Sequence, residues 1–216
     1  MRRVGLMCAA LLLVCSCSEK NASVTGSDVE KPAKPIRMAP ETFEYSETPT
    51  VAIIPNGPVT GSLAGKAFTP GMIYFTPGME KWAVRLIEKF PESPTDAGFG
   101  DDGMMLDIEF GLDPAQGKTF TKTNDYNDGI VSYYKTDGTI DSWSGKNSFA
   151  IEITEWEAVP FDASGESEFY VAGKASGYLA VCFETDGEDV PDSWAAGSFK
   201  DVPVLYQGAP FWTEED

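Results

Sequence analysis

A chain of 216 residues with no histidine has a restricted chemical repertoire. Ser-His-Asp and Cys-His nucleophile pairs, histidine-ligated zinc or haem, and imidazole acid–base steps are excluded. Catalysis would have to run on carboxylates, tyrosine, lysine or a hard metal ion. The pattern that stands out is a repeated tripeptide, Asp141-Ser142-Trp143 and Asp192-Ser193-Trp194, each followed by Ser-Phe, at Ser148-Phe149 and Ser198-Phe199. Indole faces beside carboxylates and hydroxyls suit a sugar ring and its substituents. Asp141, Trp143, Asp192 and Trp194 are therefore the candidate ligand-binding residues, on two equivalent loops that lead into strands. The competing reading makes each tryptophan a cap on the core, with the aspartate bonding the turn backbone. With five tryptophans available as core material, composition favours that second reading.

Oxygen-rich loops raise the question of calcium, which takes hard oxygen donors. Asp96 with Asp101 and Asp102, Asn124-Asp125 with Asn127-Asp128, and Asp186 with Glu188 and Asp189 are such clusters. None has the alternate-position spacing of an EF-hand loop, so solvated turns are the simpler account and no metal ligand is assigned. Structural calcium is the one cofactor these loops leave room for. Glu155 and Glu157 fall on one face of an expected strand that also carries Glu152. Such neighbours lie about 6.5–7 Å apart, within the roughly 5–9.5 Å that a glycosidase pair requires. Any acidic strand end meets that test. Lys174 and Tyr178 could serve as donors, but nothing singles them out, and no catalytic residue is assigned. No phosphate-cradling glycine loop, CxxC pair or nucleophile elbow is present, so a non-enzymatic role is favoured.

The charge closes off further partners. Thirty-four acids against 16 bases give −18, which repels phosphate backbones and anionic headgroups, so nucleic acid is not an expected partner. The first residues carry a different message. Arg2 and Arg3 precede an apolar run from Val4 to Val14, too short to span a bilayer, which needs roughly 20 apolar residues. Val14-Cys15-Ser16-Cys17 resembles the lipobox of bacterial lipoproteins, with a small residue directly before the cysteine. The resemblance implies removal of residues 1–16 and a diacylglycerol thioether on Cys17. It also implies an envelope address at the outer membrane, because Ser18 is not the aspartate that retains such proteins at the inner membrane. The membrane would then be a partner through the N-terminal lipid. Cys182, in the apolar run Tyr178–Phe183, reads as a buried small hydrophobe.

The elements that carry these residues divide at about residue 48. Residues 17–48 are mixed polar with Pro32, Pro35 and Pro40 and no sustained apolar period, which suits a disordered, solvated tether. Residues 49–216 form the expected folded domain, with 42% hydrophobic residues in the whole chain available for a core. Short alternating runs broken by Gly, Pro, Asp and Asn predict strands at Val51–Ile54, Gly61–Phe68, Met72–Phe75, Trp82–Phe90 and Met104–Phe110. Further strands are predicted at Lys118–Thr123, Ile130–Tyr134, Phe149–Glu157, Phe169–Phe183 and Ser198–Tyr206. Trp82–Phe90 also fits a helical period. In Phe169–Phe183, Gly173 and Gly177 mark bulges or turns, and Val171, Ala175, Leu179, Val181 and Phe183 share a face. Strands without intervening helices predict an all-β fold, an antiparallel β-sandwich or a lipocalin-like closed barrel.

Gly61–Pro70, Gly177–Val181 and Gly197-Ser198-Phe199 loosely resemble uncharacterised all-β bacterial lipoproteins. That likeness implies fold and location and supplies no activity. The expectation is a membrane-anchored envelope lipoprotein that binds a protein or glycan without turning it over. Carbohydrate binding or hydrolysis through the loop tryptophans is one alternative, and a structural role in the envelope is another.

Overall fold

The computed structural model describes residues 37–78, 81–88, 104–123, 129–134, 147–159, 169–184 and 191–207. Among the described residues ten strands follow one another: β1 (Thr60–Leu63), β2 (Lys66–Phe68), β3 (Met72–Pro77), β4 (Trp82–Ile87) and β5 (Met105–Gly111) in the first half. The second half supplies β6 (Thr119–Thr123), β7 (Ile130–Tyr134), β8 (Asn147–Ala158), β9 (Phe169–Phe183) and β10 (Ser193–Gln207). The all-β expectation holds. Instead of two stacked antiparallel sheets, the strands form one strongly curled mixed sheet, a half-barrel. Its order is β6-β8-β9-β10-β3-β4-β5-β7, with the β1–β2 hairpin attached to β10. Among the described residues the pairings between strands are antiparallel except β10 with β3, where Val204 opposes Phe75 in parallel.

The curl has a local cause. Opposite Ser176 and Gly177, both neighbours of β9 slip register, β8 between Ile153 and Glu155 and β10 between Phe199 and Val202. Bulges of this kind bend a strand and increase its twist. On β10 the bulge places Asp201 at φ 51, a conformation aspartate tolerates better than most residues, and its N–H donates to Ser176 Oγ at 3.1 Å. Gly177 is required at this point. A Cβ there would lie 2.0 Å from the Glu152 carbonyl oxygen and 2.8 Å from the Phe199 ring.

Inside the curl, alternate residues of the strands build one core around Phe75, Leu106, Phe149, Leu179 and Phe183. The end strand β6 reaches across the curl to β5 and to the residue that precedes β7. The Phe110 and Phe120 rings meet at 4.8 Å, and buried Lys122 donates from Nζ to the Gly129 carbonyl. The sheet thus curls toward a barrel while its first and last strands stay outside each other's ladder.

The outer face of β8, β9 and β10 carries Ala150, Ala180 and Ala196 side by side across the three strands. These small side chains make a shallow bed, and Phe43 and Ile54 fill it. The compact body accordingly begins at Arg37, so residues 37–48, expected as tether, belong to it. Arg37 Nη2 donates to the carbonyls of Val51 and Ile54, the latter at 2.7 Å, and the guanidinium lies 3.8 Å from the centre of the Tyr178 ring. Val51–Ile54, expected as a strand, is a 3-10 turn over Val51–Ile53. Val51 and Ile53 pack partly buried against the bed and Ile54, which follows, is fully buried in it.

Candidate functional site

The sheet has two ends, and each presents tryptophan differently. At one end the last residues of β9 run between the first residues of β8 and β10, so that Asn147 and Ser193 both oppose Phe183. Asp192-Ser193-Trp194 belongs here. Trp194 is a residue of β10 itself, not of a loop. It points to the outer bed, and its ring packs against Phe43 at 5.4 Å. Ser193 is fully buried and accepts a hydrogen bond from the Ala64 N–H at 2.8 Å, fastening the β1–β2 turn. Asp192 is exposed. Asp141 and Trp143 lie outside the described residues, as does Cys17. The two Ser-Phe steps are not equivalent: Phe149 opposes Val181 on β9, whereas Phe199 opposes Gly177.

Acidic groups crowd this end. The Tyr45 hydroxyl is pushed up to about 12, first by burial and then by the charges of Asp192, Cys182, Glu184 and Glu47. Cys182 is buried and its thiol is pushed up to about 11, chiefly by burial; a backbone hydrogen bond from Ser46 opposes the shift and Asp192 adds to it. A thiol held protonated is a poor nucleophile, in keeping with its reading as a small hydrophobe.

At the opposite end, Trp82 opens β4 and Trp156 nears the end of β8. Their rings meet edge to face at 5.2 Å and 83°. Trp156 also meets Phe75 at 5.6 Å and 88°, and Trp82 meets Tyr206 at 5.9 Å. Both indoles are only partly buried. The Tyr206 hydroxyl donates to the Val159 carbonyl at 2.8 Å, which holds the rim where β8 leaves the sheet. Leu112, just beyond β5, and Val159, just beyond β8, are 65% and 56% exposed. Edge-to-face contacts fix the indoles beyond what area burial alone would do. Among the described residues, this end is an aromatic mouth with both indoles partly exposed.

The sequence signal for it was the tripeptide Glu155-Trp156-Glu157. Strand alternation sends the indole inward and both carboxylates outward, and Glu155 and Glu157 are exposed. They lie on the opposite face of the strand from Trp156. Lys174 Nζ sits 3.2 Å from Asp201 and 3.5 Å from Glu157, also outside, and its ammonium is held above its ordinary value by the hydrogen bond to Asp201. Tyr178, the other candidate donor, lies beneath Arg37. Neither faces the mouth.

One buried ionic group lies on the outer side of β3, β4 and β5. Arg85 Nε contacts Asp107 Oδ2 at 2.9 Å and Arg85 Nη1 donates to the Tyr74 hydroxyl at 3.2 Å. Burial pushes the Asp107 carboxyl up while Arg85 opposes it. The arrangement is internally satisfied by Arg85 except at Asp107 Oδ1, which is buried without a hydrogen-bond partner. Pairs of this kind hold a sheet in one packing arrangement and offer no reacting atom to solvent. Among the described residues, no three metal-binding side chains converge. The acidic clusters around Asp101, Asp125 and Asp186 lie outside the described residues. Comparison with protein-family models, with curated proteins and with solved structures finds no match to this chain.

Proposed function

We propose that this chain is a non-enzymatic binding module held at a bacterial envelope surface by lipid on Cys17. The binding role rests on the Trp82–Trp156 mouth: two partly exposed indoles, locked edge to face at 5.2 Å, at one end of an otherwise packed half-barrel. A rigid aromatic anchor gives up little conformational entropy when a partner settles on it, which is why aromatic residues dominate binding hot spots. The anchor rests on the charged start, short apolar core and Ser16-Cys17 junction of the first residues. A non-enzymatic role is supported by the histidine-free composition and by the outward placement of Glu155 and Glu157.

Expression in a lipoprotein-processing bacterium tests the anchor. Mass spectrometry of the purified product should find a polypeptide that starts at Cys17 and carries diacylglycerol. Fractionation should recover it with membranes, and Cys17→Ala should release it. An unmodified N-terminus at another residue, or membrane recovery that survives Cys17→Ala, rejects this reading.

A further inference from the structure

We propose that Asn56-Gly57 is a self-modifying site: the asparagine side chain loses ammonia through a cyclic imide, and the isoaspartyl product unseats this turn from β10. The proposal is independent of the lipid anchor and of the Trp82–Trp156 mouth. Asn56, Gly57 and Pro58 are exposed, between Ile54, buried on the outer bed, and Val59, buried just before β1. Asparagine is thermolabile because its side-chain carbonyl carbon lies within reach of the next residue's backbone nitrogen. Glycine brings no Cβ to hinder that approach, and a Cβ built on Gly57 would meet nothing within 4 Å. Among the described residues, neither the Gly57 N–H nor the Asn56 side-chain amide is held by a hydrogen bond. Asn147, the other asparagine among the described residues, opposes Phe183 within β8 and precedes a serine.

In the reaction the Gly57 nitrogen bonds to the Asn56 side-chain carbonyl carbon. The bond from that carbon to the amide nitrogen breaks, and ammonia leaves with the Gly57 proton. Water then opens the imide ring at either carbonyl. Opening at the side-chain carbonyl leaves an aspartyl residue, and opening at the main-chain carbonyl leaves an isoaspartyl residue. No electrons are exchanged, and water is the sole co-reactant. In the isoaspartyl product the main chain runs through the former side chain and gains a methylene, while the old main-chain carbonyl becomes a free carboxylate. That carbonyl now accepts from Ser198 Oγ at 2.7 Å. The Gly57 carbonyl accepts from the same hydroxyl at 3.0 Å and from the Ser198 N–H at 2.7 Å. Pro58 bridges Ser198 in parallel, and a Cβ on Gly197 would lie 2.6 Å from the Pro58 carbonyl oxygen. The turn sits closely on β10, so an added methylene moves both acceptors away from Ser198.

The test incubates the purified chain in warm, mildly alkaline buffer and follows the tryptic peptide from Met38 to Lys66. Asn56 is the only asparagine in that peptide, and it holds no glutamine. Its mass should rise by the amide-to-acid difference, and fragmentation should find aspartyl and isoaspartyl forms at position 56. Gly57→Ala should slow the change about tenfold or more, Asn56→Ser should abolish it, and Asn147 should stay intact. The isolated isoaspartyl form should have a lower urea midpoint and red-shifted Trp194 emission, with the strand content by circular dichroism unchanged. An intact Asn56 in the folded chain, under conditions that convert the urea-unfolded chain, overturns the proposal. So does faster conversion of Asn147, or a Gly57→Ala chain that converts as fast as its parent. An isoaspartyl form with the parent's urea midpoint overturns the unseating.

Discussion

Trp194 and the Trp82–Trp156 pair occupy opposite ends of the same sheet and differ in what covers them. At Trp194 the chain supplies its own cover: the three alanines of the outer bed leave room for Phe43 and Ile54, and Arg37 clamps the segment. At Trp82 and Trp156 large rings meet large rings, and the outermost atoms stay partly open. The lesson is that a tryptophan's role follows from the size of its neighbours. Small neighbours invite a segment to fold over it, and bulky ones hold it partly exposed at the surface.

Four changes break or sharpen that contrast. The largest effect is expected from Phe75→Ala, which removes a fully buried ring in contact with Phe110, Trp156 and Phe199. Deletion of a core phenylalanine costs about 3–5 kcal/mol. Urea denaturation should show that loss, and the emission of Trp82 and Trp156 should shift to the red. Phe43→Ala should cost somewhat less, roughly 3 kcal/mol, because Phe43 packs on one side of the bed only. Here the red shift should belong to Trp194, and Trp194→Phe in the same background should abolish it.

A pH series separates the two ends next. The Tyr45 hydroxyl is raised from 10.0 to about 12 and the Cys182 thiol from 9.0 to about 11. Each therefore keeps its proton in the folded chain at pH values where the unfolded chain has lost it. Stability from these groups is complete below pH 9 and falls as pH climbs through 9–12. The urea midpoint should decline over that window, and Cys182→Ala should remove the lower part of the decline. The smallest effect is expected from Lys174→Ala. Exposed ion pairs contribute little, so the urea midpoint should stay where it is although contacts to Glu157 and Asp201 disappear.

Much of the sheet was legible from residue order. The limits of β7 and β9 coincide with the expected strands, and Trp82 begins a strand despite its helical spacing. Gly61–Phe68 reads as one strand but forms two, because Ala64 and Gly65 both adopt left-handed conformations, at φ 49 and 76, and turn the chain back. Along β9 the expected shared face holds for Ala175, Leu179, Val181 and Phe183 and fails at Val171, which is 65% exposed. The register slip between Val204 and Leu205 opposite Gly173 accounts for that, since one extra residue in a strand exchanges its faces. The candidate site was harder to read. A repeated tripeptide draws attention to Trp143 and Trp194, whereas Trp82 and Trp156 are 74 positions apart and share no motif.

Alternation, glycine and aspartate punctuation and apolar content were enough to settle that this chain builds an all-β body, because side-chain direction along a strand is a local property. Whether ten strands stack as two layers or curl as one was decided by bulges around Ser176 and Gly177 and by the parallel contact of Val204 with Phe75. Those pairings join distant segments, and so do the meeting of Trp82 with Trp156 and the covering of Trp194 by Phe43. Local patterning carries no record of which remote neighbour will arrive, and that arrival determines which indole stays partly exposed.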